Sequence, residues 1–474
     1  MGKGDEPMDK RVLKQEMLKI LQPEQVLADD LDLMYYSYDS SFLTKLERVY
    51  PDIVVLPRAT EQVQRIVRFA YENNIPVTPR GAGTGETGGA VAFNGGIVID
   101  LSTWDEIVEV DVSNMQVVVR PGVIHADLNN HLAKFNLFFP PDPGSSLMCT
   151  IGGMVANNAS GLRAVKYGCT EQYVLGLEVV LPNGEVITTG GIRSKAIKNV
   201  SGLNLTKLMV GSEGVLGIIT KIRLRCWPKP KARGIAMAVF SKLDDAPATV
   251  LEVYQAGILP SGIEILDKSA IKAVNQFKPE IGLPEDAEAI LLFEVDGNAP
   301  SVEWEGTNIV EIAKRRATKV EWATDPQRMA SLWEGRSVTA TAAARVRPDG
   351  SRVFAGEDIS VPLSRVAEAL RAIRSLGEKY GIPVVNYGHI GDGNVHTAPV
   401  IDPENPAEAE KANQLVHEIH LLAIELEGST TGEHGVGAVR RQYAELEHGE
   451  ALKVMRLIKN AVDPKGIMNP GKLI

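Results

Sequence analysis

Three glycine-rich segments in the first half of the chain constrain its fold more than any other feature. Residues 79–101 read PRGAGTGETGGAVAFNGGIVIDL, residues 150–161 read TIGGMVANNASG, and Gly211 to Gly217 lie within MVGSEGVLGIIT. Between them run short β-branched stretches (IVVLP, IPVTP, IVIDL, MQVVVRPG, GLEVVLPNGEVI, IITKIRLR) bounded by Gly, Pro or Asn, the pattern of strands joined by tight turns. TEQVQRIVRFAYENN carries Val63, Ile66, Val67 and Ala70 at i, i+3, i+4 and i+7, which predicts an amphipathic helix with Thr60 as its N-cap. Residues up to about 225 therefore read as α+β with glycine-rich turns.

Gly83 to Gly88, GTGETG, matches the GxGxxG dinucleotide fingerprint, which needs a strand before it and a helix after it. IPVTP supplies the strand, but GGAVAFNGGIVIDL reads as a turn and a second strand. No helix N-terminus is then available to hold a pyrophosphate in the Rossmann manner. A nest of backbone N–H groups is the other way to bind an anion. Gly81, Gly83, Gly85, Gly88 and Gly89 allow such a backbone, and Thr84 and Thr87 add hydroxyl donors. One loop of this kind is compatible with a plain hairpin turn; three flanked by strands point to wrapping a ligand.

The chain has 474 residues, room for two or three domains at about 150 residues each. Its 50 Lys and Arg against 60 Asp and Glu give a net charge of −10, which argues against nucleic acid or an anionic membrane surface as the main partner. Cys149, Cys169 and Cys226 are scattered and form no CxxC, CxxCH or ferredoxin-type spacing, so a disulfide scaffold, c-type haem and iron–sulfur cluster are not expected. The N-terminus, MGKGDEPMDKRVLKQEMLKIL, reads as a charged amphipathic helix rather than a signal peptide, and Glu6 breaks the myristoylation pattern. No apolar run approaches the ~18 residues needed to span a bilayer, so the expectation is a cytoplasmic protein, peripheral to a membrane only through a partner.

After Trp227-Pro-Lys-Pro230 the texture changes. Strand-like GIAMAVF, AILLFEVDG, RVFAGEDISVP and IPVVNYGH alternate with helical DDAPATVLEVYQAG, SVEWEGTNIVEIAKRRA, LSRVAEALRAIRSLGEKYG and EAEKANQLVHEIHLLAIELEG, which predicts a sheet with helices on one face. A last helix is expected around 442–462. Six of the eight histidines lie in this half, after residue 388. In NYGHIGDGNVH, His389 and His396 flank an Asp-Gly loop, and an antiparallel pairing is expected to set them opposite each other. TGEHGVG adds Glu433 and His434 in a loop whose glycines permit close approach. Two imidazoles and a carboxylate make a metal site with open positions, as catalysis requires. His417 and His420 sit on a helix with no carboxylate motif, and with His125, His131 and His448 they read as structural.

PRGAGTGETGG, PPDPGSSLMCTIGGMVANNASG and MVGSEGVLGIIT, in that order from about residue 50 to 225, resemble the FAD domain of vanillyl-alcohol oxidase and p-cresol methylhydroxylase relatives. The resemblance implies an α+β FAD-binding domain of that type with an α+β cap, or substrate, domain. It makes Arg80, Gly81, Ala82, Gly83, Thr84, Gly85, Thr87, Gly88, Pro141, Asp142, Ser145, Thr150, Gly153, Asn157, Ser160, Gly161, Glu213, Gly214 and Ile219 cofactor-contact candidates, with Asn469 of the terminal MNPGK. Some members attach FAD through His or Cys; residues 79–90 contain neither, so the flavin is expected to be non-covalent.

HIGDGNVH with GEHGVG resembles the FAD-linked D-2-hydroxyacid dehydrogenases, such as D-lactate dehydrogenase and the glycolate oxidase flavin subunit. That likeness implies a divalent metal (Zn, Mn or Fe) on His389, His396 and Glu433, and His434 as the base. The metal would lower the pKa of the substrate hydroxyl while an imidazole, titrating near neutrality, takes its proton. For the substrate carboxylate LWEGRSVTATAAARVRP offers Arg336, Arg345 and Arg347, and the resemblance favours Arg336, beside Trp333. Groups that hold a distal carboxylate in hydroxyglutarate enzymes are replaced here by Ala340, about Gly356, and Ala398, which predicts a small monocarboxylate, D-lactate before glycolate.

The expected organisation is a FAD-binding part at 1–228, a substrate part with the metal at 229–439, and a segment at 440–474 returning to the first. With no second redox motif in the chain, electrons must pass to an electron-transfer flavoprotein, an iron–sulfur subunit, a quinone or a cytochrome. Rival readings on the same motifs are an oxidase of sugars or phenols, an ether-lipid synthase, and a non-catalytic flavin subunit. Metal-type residues, His434 and Arg336 speak against them.

Overall fold

The structure, a computed structural model, describes residues 8–46, 48–352 and 358–474. Its first sheet has four strands in the order Val26–Leu27, Ile53–Val55, Ile97–Asp100, Val77–Arg80. The last three run parallel, and their IVV and IVID segments are buried throughout, as a parallel sheet covered on both faces requires. Thr60–Glu72 makes the crossover helix and buries Val63, Ile66, Val67 and Ala70. Its N-cap is Ala59 rather than the expected Thr60, whose hydroxyl instead donates to Glu178 Oε1 at 2.8 Å and ties the helix to the second sheet.

That second sheet is antiparallel, in the order Ile107–Asp111, Gln116–Val119, Ile218–Arg225, Val174–Val180, Val186–Thr188. After Gly89 the chain turns and enters the strand Ile97–Asp100 without forming a helix, so the expected absence of a Rossmann crossover is what the backbone shows.

A third, antiparallel sheet of eight strands occupies the second half. Its order is Lys319–Ala323, Ala232–Phe240, Ala289–Gly297, Gly262–Asp267, Val384–His389, Asn394–Ile401 and Ser351–Arg352, with Ile359–Ser360 also pairing on Asn394–Ile401. The expectation of helices on one face is corrected. Ala238, Phe240, Leu291 and Phe293 face the helices Asp245–Gln255, Ala299–Ala313, Val366–Tyr380 and Pro406–Glu425, while Met237 and Leu292 face Lys268–Phe277 and Pro326–Ala343. Unbroken apolar runs such as AILLFEV are those of strands buried on both faces.

The helix expected at 442–462 is two, Ala444–His448 and Ala451–Val462, parted at Gly449 with φ +52°. The chain then returns to the first sheet, where Met468 bridges Val77 in parallel and Ile467 and Met468 join the core of that sheet. Among the described residues no helix is long and apolar enough to cross a membrane.

Candidate active site

A cavity of about 680 Å³ lies between the glycine loops and the large sheet. Arg80, Gly81, Ala82, Gly83, Thr84, Gly85 and Thr87 line one side, with Asp142, Ser145, Thr150, Gly153, Asn157, Ser160, Glu213, Gly214 and Ile219 beside them. Backbone N–H groups from Ala82 to Gly89 meet no acceptor among the described residues. Buried donors are nearly always paired, so a row of open ones along a cavity fits an anionic ligand such as a pyrophosphate. Thr150 caps the helix Ile151–Asn157 by accepting from Gly153 N at 3.2 Å, and a Cβ on Gly81 would stand 2.4 Å from that hydroxyl. The loop thus needs glycine to lie against the helix start.

Four predicted cofactor contacts do not line the cavity. Gly88 turns the loop at φ +75° against Phe93, and Gly161 packs on the Asp142 carbonyl, 2.2 Å from its virtual Cβ. Pro141 is buried beside His125. Asn469, also buried, donates to Gly89 O and to Glu213 O at 2.7 Å and so braces two loops from behind. Two that do line the cavity use their charge elsewhere. Arg80 donates to Tyr38 O at 2.8 Å and packs over the Tyr36 ring, and Glu213 accepts from Val436 N and Gly437 N at 2.7 Å each. Asp142 pairs with Arg163, yet burial pushes its carboxyl up to about 6.

The opposite wall carries the histidines. His389 and His396 are not directly opposite, as expected, but diagonal: the register pairs His389 with Asn394 and Tyr387 with His396. The turn is a 3₁₀ segment, Ile390–Asp392, with Gly393 at φ +80°, one residue pair tighter than a loop flanked by the two histidines. Diagonal neighbours on one face still converge, and the two Nε2 atoms lie 3.3 Å apart. Glu433 Oε1 is 3.3 Å from His389 Nε2 and 3.4 Å from His396 Nε2. His389 Nδ1 meets Glu264 Oε1 at 2.6 Å, which fixes the ring with Nε2 facing the cluster.

Burial alone would lower His389, but Glu264 and Glu433 hold it well above the ordinary histidine range. Burial would raise Glu433, but His389 and His396 hold it well below the usual carboxylate range. Three convergent ligand atoms within 4.8 Å of one another, two of them imidazole, fit a divalent cation. Asp358, His396 and His434 also converge, but Asp358 is already occupied. It accepts from Asn394 Nδ2 at 2.8 Å, Thr431 Oγ1 at 2.5 Å, Glu433 N at 3.0 Å and His434 N at 2.7 Å. Burial would raise this carboxyl, but His434, Arg440 and His396 hold it well below the usual range.

His434 and Arg336 both line the cavity. Arg336 lies on the helix Pro326–Ala343, its Nε 2.5 Å from Glu264 Oε2 and its guanidinium over the Tyr387 ring. Arg345 is exposed and Arg347 pairs with Asp349 and Glu408, so neither is part of this wall. Ala340 lines the cavity and Ala398 is buried in the core beneath it, while Gly356 lies outside the described residues. His417 and His420 pack against Tyr443, and His125 bonds Ser146 and Asn129, structural roles as expected.

Sequence reasoning missed Glu264, Asp358, Glu86, Arg352 and Tyr387. Glu264 joins Arg336 to His389, yet in GIEILD it is one acid in a strand and nothing nearby marks it.

A glycine-loop cradle for an anionic cofactor, facing a buried His–Glu cluster with a free imidazole, defines a flavin-linked oxidoreductase. Residues 51–190 match the model for the FAD binding domain and residues 229–473 the model for the C-terminal domain of FAD linked oxidases. Glycolate oxidase subunit GlcD of Bacillus subtilis is 38% identical over 97% of this chain and 96% of its own length. D-lactate dehydrogenase of Archaeoglobus fulgidus is 37% identical over 89% of this chain and 91% of its own. In fold, p-cresol methylhydroxylase with substrate bound superposes with a TM-score of 0.80 at 17% identity, over 98% of this chain and 96% of that one. The chain belongs to the FAD-linked oxidase family, on the fold of p-cresol methylhydroxylase and its relatives, and is an oxidoreductase that uses FAD.

Proposed function

We propose that this protein oxidises a small D-2-hydroxyacid, D-lactate before glycolate, to the 2-oxoacid with the help of a divalent metal. The observation that carries the reading is that His389, His396, Glu433 and His434 share one cavity with the glycine loops. Relatives named glycolate oxidase subunit and D-lactate dehydrogenase support the substrate class. The flavin-binding part is residues 1–228 with 440–474, and 229–439 carries the substrate and metal side.

FAD, bound without a covalent link, supplies the hydride acceptor; Cys149, the thiol on the cavity wall, is pushed up by burial and is a poor nucleophile. A divalent cation (Zn, Mn or Fe) on His389, His396 and Glu433 would supply a Lewis acid for the substrate hydroxyl. Glu264 orients the work of two residues at once: it fixes the His389 ring and takes Arg336 Nε. The Arg336 terminal nitrogens then remain for the two oxygens of a carboxylate. His434 Nε2, on the Glu433 side of its ring, takes the hydroxyl proton. Arg352, also lining the cavity, donates to Tyr387 Oη at 3.2 Å, and Ala340 offers no polar group for a second carboxylate, which favours a monocarboxylate. Electrons leave to a separate acceptor, an electron-transfer flavoprotein, an iron–sulfur subunit or a quinone.

Anaerobic D-lactate is expected to bleach the yellow holoenzyme, and His434→Ala to slow bleaching by roughly 10²–10⁴-fold with FAD still bound. Bleaching by phenols or sugars but not by 2-hydroxyacids would overturn the substrate class.

A further inference from the structure

Two buried polar atoms on opposite walls of the cavity face each other without a hydrogen bond. Glu86 Oε2 and His434 Nδ1 each lack a partner within bonding distance, and they lie 3.6 Å apart. Glu86 belongs to the first glycine loop and His434 to TGEHGVG. The two loops are tied beside this pair, where Thr87 O accepts from Ala438 N at 2.9 Å and Gly437 leaves no room for a Cβ against the same carbonyl. The approach is therefore built into the backbone.

Asp358 is the other carboxylate near this nitrogen, with Oδ2 at 4.0 Å, but its oxygens are filled by Asn394, Thr431 and two backbone N–H groups. The opposite nitrogen, Nε2, lies on the metal-ligand side, 3.9 Å from Glu433 Oε1. A neutral imidazole has one donor and one acceptor nitrogen, and the bond made by one decides the role of the other.

We propose that Glu86 is the positioning residue of His434: its carboxylate accepts the Nδ1 proton and fixes the tautomer whose Nε2 receives the substrate proton. The inference rests on His434 being the base. It gives the flavin-cradling loop a second task, because the loop that would grip the cofactor also sets the orientation of the base across the cavity. An acid at this place in the loop is otherwise unexplained, since it meets no cation within bonding distance among the described residues.

The test compares Glu86→Leu, Glu86→Gln and His434→Gln holoenzymes in anaerobic flavin reduction by D-lactate. FAD content and the ¹⁵N shifts of labelled histidine are read alongside, the His434 signals being assigned by their loss in His434→Gln. Glu86→Leu is expected to lower the limiting rate about 100-fold, with half-saturation changed less than about twofold and FAD retained. It should also lose the protonated Nδ1 signature. Glu86→Gln, whose amide oxygen still accepts, should recover most of the rate and the signature. Wild-type reduction in Glu86→Leu beside an inactive His434→Gln would overturn the role of Glu86 and leave the base standing. Wild-type reduction in His434→Gln would overturn the base itself. Loss of FAD, or a change confined to half-saturation, in Glu86→Leu would assign Glu86 to binding and overturn its positioning role.

Discussion

Along residues 82–89 the cavity wall carries a row of backbone N–H donors that meet no acceptor among the described residues, with the Glu86 carboxylate among them, whereas across from them, at 389–434, it carries buried side chains already crowded against one another. The first wall is an unfilled set of dipoles. It needs no charge of its own and depends on glycine for close approach, as at Gly81 against Thr150. The second wall is a set of charges that hold each other in place, with Glu264 and Glu433 raising His389, and His389 and His396 in turn holding Glu433 well below the usual carboxylate range. Two buried histidines show the contrast directly. His125, on the flavin side and without a carboxylate, is pushed down to about 4 by burial. His389, as deeply buried, goes the other way because two carboxylates outweigh desolvation. A backbone cradle and a side-chain cluster should therefore fail independently.

The largest effect is expected from Glu433→Gln. It removes the only carboxylate among the three convergent ligands, so metal retained after dialysis should fall and anaerobic flavin reduction should slow by roughly 10³-fold. Bound FAD should be unchanged; loss of flavin from this variant would show that the two walls are not separable. Gly81→Val tests the other side. Its Cβ would collide with Thr150 Oγ1 and disturb the cap of Ile151–Asn157, so FAD affinity should drop by about 10–100-fold while metal content stays constant. Equilibrium dialysis with FAD reads this directly.

The smallest effect concerns stability against pH. Because the folded His125 pKa lies below its unfolded value, the unfolded chain binds the extra proton. Stability is therefore full above about pH 6.5 and declines as pH falls toward 4. At pH 5.5 the loss is about 1.4 kcal/mol, and His125→Gln should flatten that part of the urea-unfolding profile. An unchanged acid limb would mean that His125 is not neutral in the fold.

Much of this architecture is legible in the amino-acid sequence. The crossover helix Thr60–Glu72 and its four buried positions followed from periodicity, and the missing helix after Gly89 ruled out the Rossmann arrangement. Segments HIGDGNVH and GEHGVG carried the histidine cluster because glycine-flanked polar residues have few other reasons to recur. The diagonal register of His389 and His396 was not legible, since a shift of one pair depends on the length of the 3₁₀ turn at Ile390–Asp392. Helices on both faces of the large sheet were missed because an apolar run shows burial without showing what covers each side.

The amino-acid sequence alone determined what is local: which segments turn, which alternate, and which residue types capable of holding a dinucleotide or a metal are present. Only the tertiary structure decided which of those groups are spoken for. Glu213 and Asn469 stand in motif segments yet brace loops, while Glu264 stands in none and Glu86 is a variable position of the glycine loop, and both meet the histidines. The reason is physical. A buried polar group is defined by the partner that satisfies it, and such partners here lie from 44 to 380 residues away along the chain.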